Sequence, residues 1–211
     1  MTQIILVRHG RTPWNKDKIF RGTVDVPHDE VGREEARLAG EWLKTETIHA
    51  AYCSPLSRAR ETAESIAVHH GLPVQDLPGL TDLCYGDWQS VPLAEVKKRY
   101  AELYRQWETA PHTVRFPGGE TLDEVRQRAL AAVEEVLRRH PGQTVVLAAH
   151  RVVNKVLILA FIGLDNSHFW RIGQDTTAIN RFTWTGGTWN IMAVNDTCHL
   201  REMARGPYVD F

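Results

Sequence analysis

At 211 residues and 24.0 kDa the chain is long enough to bury a substantial core, and a single α/β domain over 1–211 is expected. Its 25 Lys and Arg against 26 Asp and Glu leave a net charge of −1, without the surplus that a nucleic-acid binder or membrane-surface protein would carry, so any anion site has to be local. No secretion-signal pattern or membrane-length apolar run is present, so a cytoplasmic protein is expected; Cys53, Cys84 and Cys198 are odd in number and far apart, which reads as reduced, mostly buried thiols.

Residues 3–7 are a short apolar strand that runs into Arg8-His9-Gly10, and after a loop rich in Gly and Pro an amphipathic helix is expected from Glu30 to Lys44. His49 to Cys53 reads as a second strand, and Ser54-Pro55 as an N-cap with proline at the first helical position, opening a helix that ends near His70 with Gly71 as its stop. Val74 to Leu77 is a short strand. The stretch "LTDLCYGDWQSVP" is irregular and aromatic, and Leu93 to Trp107 is helical. Thr121-Leu-Asp-Glu124 has the spacing of a capping box, and Val125, Ala129, Ala132, Val133, Val136 and Leu137 then mark one face of a helix reaching His140. Thr144 to Ala149 is a continuous apolar strand ending on His150, followed by a helix from about Val152 to Ile162. Ile179 to Thr185 and Trp189 to Val194, joined by Gly186-Gly187, form a hairpin or paired edge strands.

Strands alternating with helices imply a three-layer α/β sandwich: a mainly parallel sheet, helices on both faces, and an antiparallel edge near the C-terminus. Such sheets bind ligands beyond the carboxyl ends of their strands, where Arg8-His9 and His150 both fall. If those two strands are neighbours, two imidazoles and a guanidinium converge beside a helix N-terminus, a setting that suits a phosphate. His9 could serve there as nucleophile, base or metal ligand. The adjacent Arg8 repels a metal ion and can grip two phosphoryl oxygens, so attack on phosphorus is the leading role. The remaining histidines show no ligand spacing, and no metal or cofactor is expected. Trp88, Trp107, Trp170, Trp184 and Trp189 read as core or pocket wall rather than a base-stacking platform.

"LVRHGRTPWN", "FRGTVDVP", "SPLSRARETA", "LTDLCYGDW", "FPGGETLDEV" and "LAAHRVVNKVL", in that order over nearly the whole chain, resemble the histidine phosphatase superfamily, in particular its branch with phosphoglycerate mutase and small phosphomonoesterases. The resemblance implies that His9 is phosphorylated during turnover, that Arg8, Arg58 and His150 bind the transferring group, and that Asn15 is a further ligand. It also makes Asp82 the acid and base, in place of the Glu common in phosphatase-type relatives; Asp87, beside Trp88, is the nearest competitor. Two arginines and a histidine cation would neutralise the phosphoryl oxygens. Three residues depart from the family pattern: Arg11, Arg21 before Gly22, and Arg151 in place of the usual glycine after the second histidine. Together they imply a substrate with more than one anionic group, and Arg151 must either point away or enter the pocket.

The expected function is a metal-independent phosphatase that hydrolyses phosphomonoesters of small anionic metabolites through a phosphohistidine. A 2,3-bisphosphoglycerate-dependent phosphoglycerate mutase is the alternative, disfavoured by the short 89–117 segment and its scattered basic residues. A non-catalytic phospho-ligand-binding protein is the third reading, and would be expected if the nucleophile, clamp or second histidine were missing. The expected partner is a small phosphorylated metabolite, with neither nucleic acid nor membrane, and a homodimer is the self-association considered.

Overall fold

The computed structural model describes residues 1–203. In chain order it contains β1 (Thr2–Arg8), α1 (Pro13–Lys16), α2 (Glu30–Leu43), β2 (Ala50–Cys53), α3 (Ser57–Ala67), β3 (Val74–Asp76), α4 (Leu93–Arg99), α5 (Ala101–Thr109), α6 (Leu122–Arg139), β4 (Thr144–Ala149), α7 (Arg151–Phe161), β5 (Ile179–Thr185) and β6 (Thr188–Asp196). The strands form one sheet in the order β3-β2-β4-β1-β5-β6. The first four positions are parallel, and β5 and β6 continue the sheet antiparallel beyond β1. The chain is thus α/β with the antiparallel edge where the hairpin pattern put it.

Burial of β1 on both faces explains its unbroken apolar run. Ile5 and Val7 pack with Val146, with Leu43 of α2 and with Ile66 of α3. Ile4 and Leu6 face the opposite way, with Val145 and Leu147, into the larger core under α6 and α7. That core continues into the 77–116 region through Tyr85, Trp88, Trp107 and Phe116, whose rings meet mostly edge to face at 4.9–6.3 Å between centroids. The capping box at Thr121 is formed: its hydroxyl accepts from Glu124 N at 3.2 Å, and Glu124 Oε2 accepts from Thr121 N at 2.7 Å. Among the described residues no helix is long and apolar enough to cross a membrane.

Three local expectations are corrected. The helix expected at Ser54-Pro55 begins at Ser57, because Ser54 N still donates to Ala148 O and prolongs the strand pairing. Its first turn is instead capped from a distance by Asp25, whose Oδ1 accepts from Ser57 N at 2.8 Å and from Ser57 Oγ at 2.7 Å. The helix expected over 93–107 is two helices, broken at Tyr100 (φ −126°, ψ 39°); no Gly or Pro marks the break, and the Tyr100 ring packs on Trp88. All three cysteines are free, but only Cys53 is buried, with Cys84 and Cys198 half-buried. The short α1 lies in a stretch for which no element was expected.

Candidate active site

Parallel pairing of β1 with β4 in the register Arg8↔Ala149 brings the two histidines to one point, since His9 and His150 are the next residues on neighbouring strands. His9 N donates to Ala149 O at 2.9 Å, and the imidazole centroids stand 5.2 Å apart, tilted by 55°. Both residues are fully buried. His9 Nδ1 lies 2.7 Å from the Gly10 carbonyl oxygen; an oxygen there can only accept, so Nδ1 carries the proton and Nε2 the lone pair. Among the described residues Nε2 has no hydrogen-bond partner.

The peptide that orients His9 is itself held. Gly10 N donates to Thr62 Oγ1 at 3.2 Å, and that hydroxyl passes its proton to Arg58 O at 2.9 Å. Gly10 needs to be glycine because the loop crosses the first turn of α2: a Cβ would sit 2.4 Å from Gly32 O. Thr62 lies one turn after Arg58 on α3, so the same helix face presents the clamp and the buttress. Beneath them His28, itself buried, faces Thr62 Oγ1 through Nε2 at 3.3 Å and Glu61 Oε2 through Nδ1 at 3.1 Å. Burial, the largest cause, lowers the His28 pKa to about 4.

Arg8 and Arg58 are fully buried. The Arg8 guanidinium donates from Nη1 to the Gln174 carbonyl, and the Gln174 side-chain oxygen accepts from Asn154 Nδ2 and Asn180 Nδ2 at 3.0 Å each. Arg58 donates from Nη1 to Val24 O at 3.0 Å and from Nη2 to Gly22 O at 2.8 Å. Its Nη2 also lies 3.4 Å from Asp82 Oδ2. Asp82 Oδ2 in turn stands 3.7 Å from His150 Nδ1. The loop that carries Asp82 is fixed by Arg128, which donates to Asp82 O at 3.0 Å and to Glu120 Oε1 at 2.8 Å. Asp87 is exposed and its backbone is tied to Pro117. The geometry therefore puts Asp82, not Asp87, beside the histidines.

Phe20, Arg21, Gly22, Asp82, Tyr85 and Arg151 line the pocket above these groups. Arg151 has entered the pocket rather than turned away. Its guanidinium hydrogen-bonds the Tyr85 hydroxyl and lies 5.7 Å from the centre of the Trp170 ring. Arg11 takes another position: its Nε donates to Asp29 Oδ2 at 2.8 Å and its backbone N to Glu35 Oε2 at 2.8 Å, tying the loop to the start of α2 outside the pocket lining. Asn15 is buried, and its Oδ1 accepts from Thr12 N and Oγ1 at 3.0 Å each, closing α1 at the foot of the site.

Burial first, then Arg58 and other nearby guanidinium groups, hold the pKa of both His9 and His150 well below the ordinary histidine value. The fixed positive charge of the site comes from arginine.

A family model of the histidine phosphatase superfamily (branch 1) matches residues 4–197. The chain belongs to that superfamily. Phosphoserine phosphatase 1 of Hydrogenobacter thermophilus is 35% identical over 202 residues, covering 96% of this chain and 96% of its own length. Among solved structures, Bacillus stearothermophilus YhfR superimposes with a TM-score of 0.92 at 32% identity, over 95% of this chain and 100% of its own. The mycobacterial glucosyl-3-phosphoglycerate phosphatase complexed with VO3 gives 0.86 at 25% identity, over 92% and 98%. This histidine phosphatase is accordingly a phosphoric monoester hydrolase.

Sequence reasoning missed Thr62, Gln174 and Arg128 as parts of this site. One of them had a usable signal: Thr62 falls four residues after Arg58, already singled out, on the same helix. Gln174 and Arg128 act across the fold, and nothing local announces them.

Proposed function

We propose that the chain hydrolyses phosphomonoesters of small anionic metabolites through a phosphohistidine on His9, without a metal ion. The observation that carries this reading is the His9 tautomer: Nδ1–H is committed to Gly10 O, and Nε2 offers a buried lone pair within the field of the Arg58 and Arg8 guanidinium groups. His9 Nε2 attacks phosphorus in line while the bond to the leaving oxygen breaks, and Asp82 gives that oxygen its proton. Water, deprotonated by Asp82, then attacks the phosphohistidine; phosphate leaves and His9 Nε2 regains its lone pair. Arg8 and Arg58 meet the charge on the equatorial oxygens, as a metal ion does in other phosphatases, and Asn15 and His150 complete the cradle.

Hydrolysis is favoured over mutase chemistry because Asp82, the base for water, stands between Arg58 and His150 within the same pocket. Arg21 and Arg151 in the pocket lining favour a leaving group that is itself anionic. The test is to trap the enzyme during turnover of a 32P-labelled monoester: acid-labile, base-stable label is expected on the wild type and not on His9→Ala, with activity retained in EDTA. Equal labelling of both proteins, or full loss in chelator with rescue by Mg²⁺ or Zn²⁺, overturns the reading.

A further inference from the structure

Arg151 begins α7 and Lys155 follows one turn later, so the two cations stack along one face of the helix. Both are buried, at 8% and 5% exposure, which is unusual for either residue type. They share one aromatic surface. Arg151 Cζ lies 5.7 Å from the Trp170 ring centre, and Lys155 Nζ lies 4.8 Å from both the Trp170 and the Phe169 ring centres. That surface is built to stay in place: Trp170 Nε1 donates to Trp107 O at 2.8 Å, and its ring packs edge to face on Phe169 and Trp107. Arg151 also reaches the Tyr85 hydroxyl and lines the pocket beside Arg21.

We infer that Arg151 and Lys155, stacked on Trp170, form a subsite for a second anionic group, a carboxylate or a second phosphate, carried by the leaving group of the substrate. This rests on the phosphatase reading above and assigns the residues that choose among monoesters. The planar fork of Arg151 can take two oxygens of the anion, and the Lys155 ammonium adds charge at longer reach. An anion on the leaving group makes these charge-assisted contacts and a neutral or cationic one does not, and a site built for a polar group discriminates strongly against the analogue that lacks it.

The experiment compares kcat/KM on substrate pairs that differ by one anionic group: O-phosphoserine against O-phosphoethanolamine, 3-phosphoglycerate against glycerol 3-phosphate, and 1,3-propanediol bisphosphate against the monophosphate. The wild type should prefer the more anionic member by about 100-fold or more in the carboxylate pairs, the bisphosphate pair or both; which pair responds names the anion. Arg151→Gln and Lys155→Gln should each cut that preference about tenfold, and Arg151→Lys, which keeps the charge and loses the fork, should cut it less. Wild-type enzyme that turns over p-nitrophenyl phosphate and labels on His9, yet shows no preference in any pair, overturns the subsite. So does a preference that survives in the folded Arg151→Gln, Lys155→Gln double variant. Absence of turnover and label in the wild type strikes the phosphohistidine reading instead, so the two failures are distinguishable.

Discussion

The floor of the site and its rim are built by different means. At the floor, His9 and His150 follow directly from paired strands, and Arg8, Arg58 and the Gly10 peptide are held by backbone carbonyls and buried side chains. At the rim, Arg21 and Tyr85 come from loops and Arg151 from the start of a helix, where Arg151 and, one turn on, Lys155 lie against aromatic rings. Hydrogen bonds to main chain fix atoms to a few tenths of an ångström, whereas stacking on an indole face leaves room to exchange the side chain. On the proposed mechanism the chemistry sits on the rigid part and substrate choice on the exchangeable part.

Floor variants should cost catalysis on every substrate, and the first two ways to sharpen the contrast lie there. His9→Ala should remove at least about four powers of ten from kcat on alkyl and aryl monoesters alike, since it deletes the attacking atom, with a circular dichroism spectrum like the wild type. An enzyme that keeps more than a hundredth of its rate breaks the assignment. Asp82→Asn should slow alkyl monoesters by about two to four powers of ten but p-nitrophenyl phosphate much less, because a good leaving group needs no proton. A burst of p-nitrophenol is then expected as phosphoenzyme accumulates. If the leaving-group dependence appears in Asp87→Asn instead, the acid is the wrong carboxylate.

Smaller effects test whether the buttress belongs to the floor. Thr62→Val takes the acceptor from Gly10 N and the donor from Arg58 O, and should lower kcat about tenfold with little change in KM; Thr62→Ser should restore it. The smallest effect is on stability. His28 is lowered in the fold to about 4 from an ordinary value of 6.5, so the unfolded chain takes up the proton first as pH falls. Its contribution is present above pH 6.5 and is lost between there and about pH 4, worth up to about 3 kcal/mol at roughly 1.4 kcal/mol per pH unit. Chemical denaturation across that window should show a steep loss that flattens in His28→Gln, which keeps a polar group beside Thr62 without titrating. Equal slopes in the two proteins would remove His28 from the buttress.

What could be read from sequence follows the same division. Strand ends on neighbouring parallel strands converge whatever the intervening chain does, so the pattern of apolar runs ending on Arg8-His9 and on His150 was enough to place the floor. The Ser54-Pro55 start was misleading because Asp25, a residue of the preceding loop, does the capping, and propensity at Ser54 carries no trace of it. The break at Tyr100 and the ties from Gln174 to Arg8 and from Arg128 to Asp82 are tertiary, set by packing and by segments far away in the chain. The lowering of the His150 pKa has a related origin, its burial and the guanidinium groups around it, which appear only once the fold has assembled them.

The one-to-one register of β1 with β4 also dictates where the gene can change length. A codon inserted or deleted inside either strand shifts one histidine by one residue relative to the other, about 3.3 Å along the strand, and turns it to the opposite face of the sheet. Between those strands, the connections on either side of α4 and α5 join neither of them, and a change of length there leaves both reacting ends aligned. Indels among descendants of this gene should therefore collect there and be purged from residues 2–9 and 144–150, so that new leaving-group preferences can arise by changes in loop length as well as by point substitution.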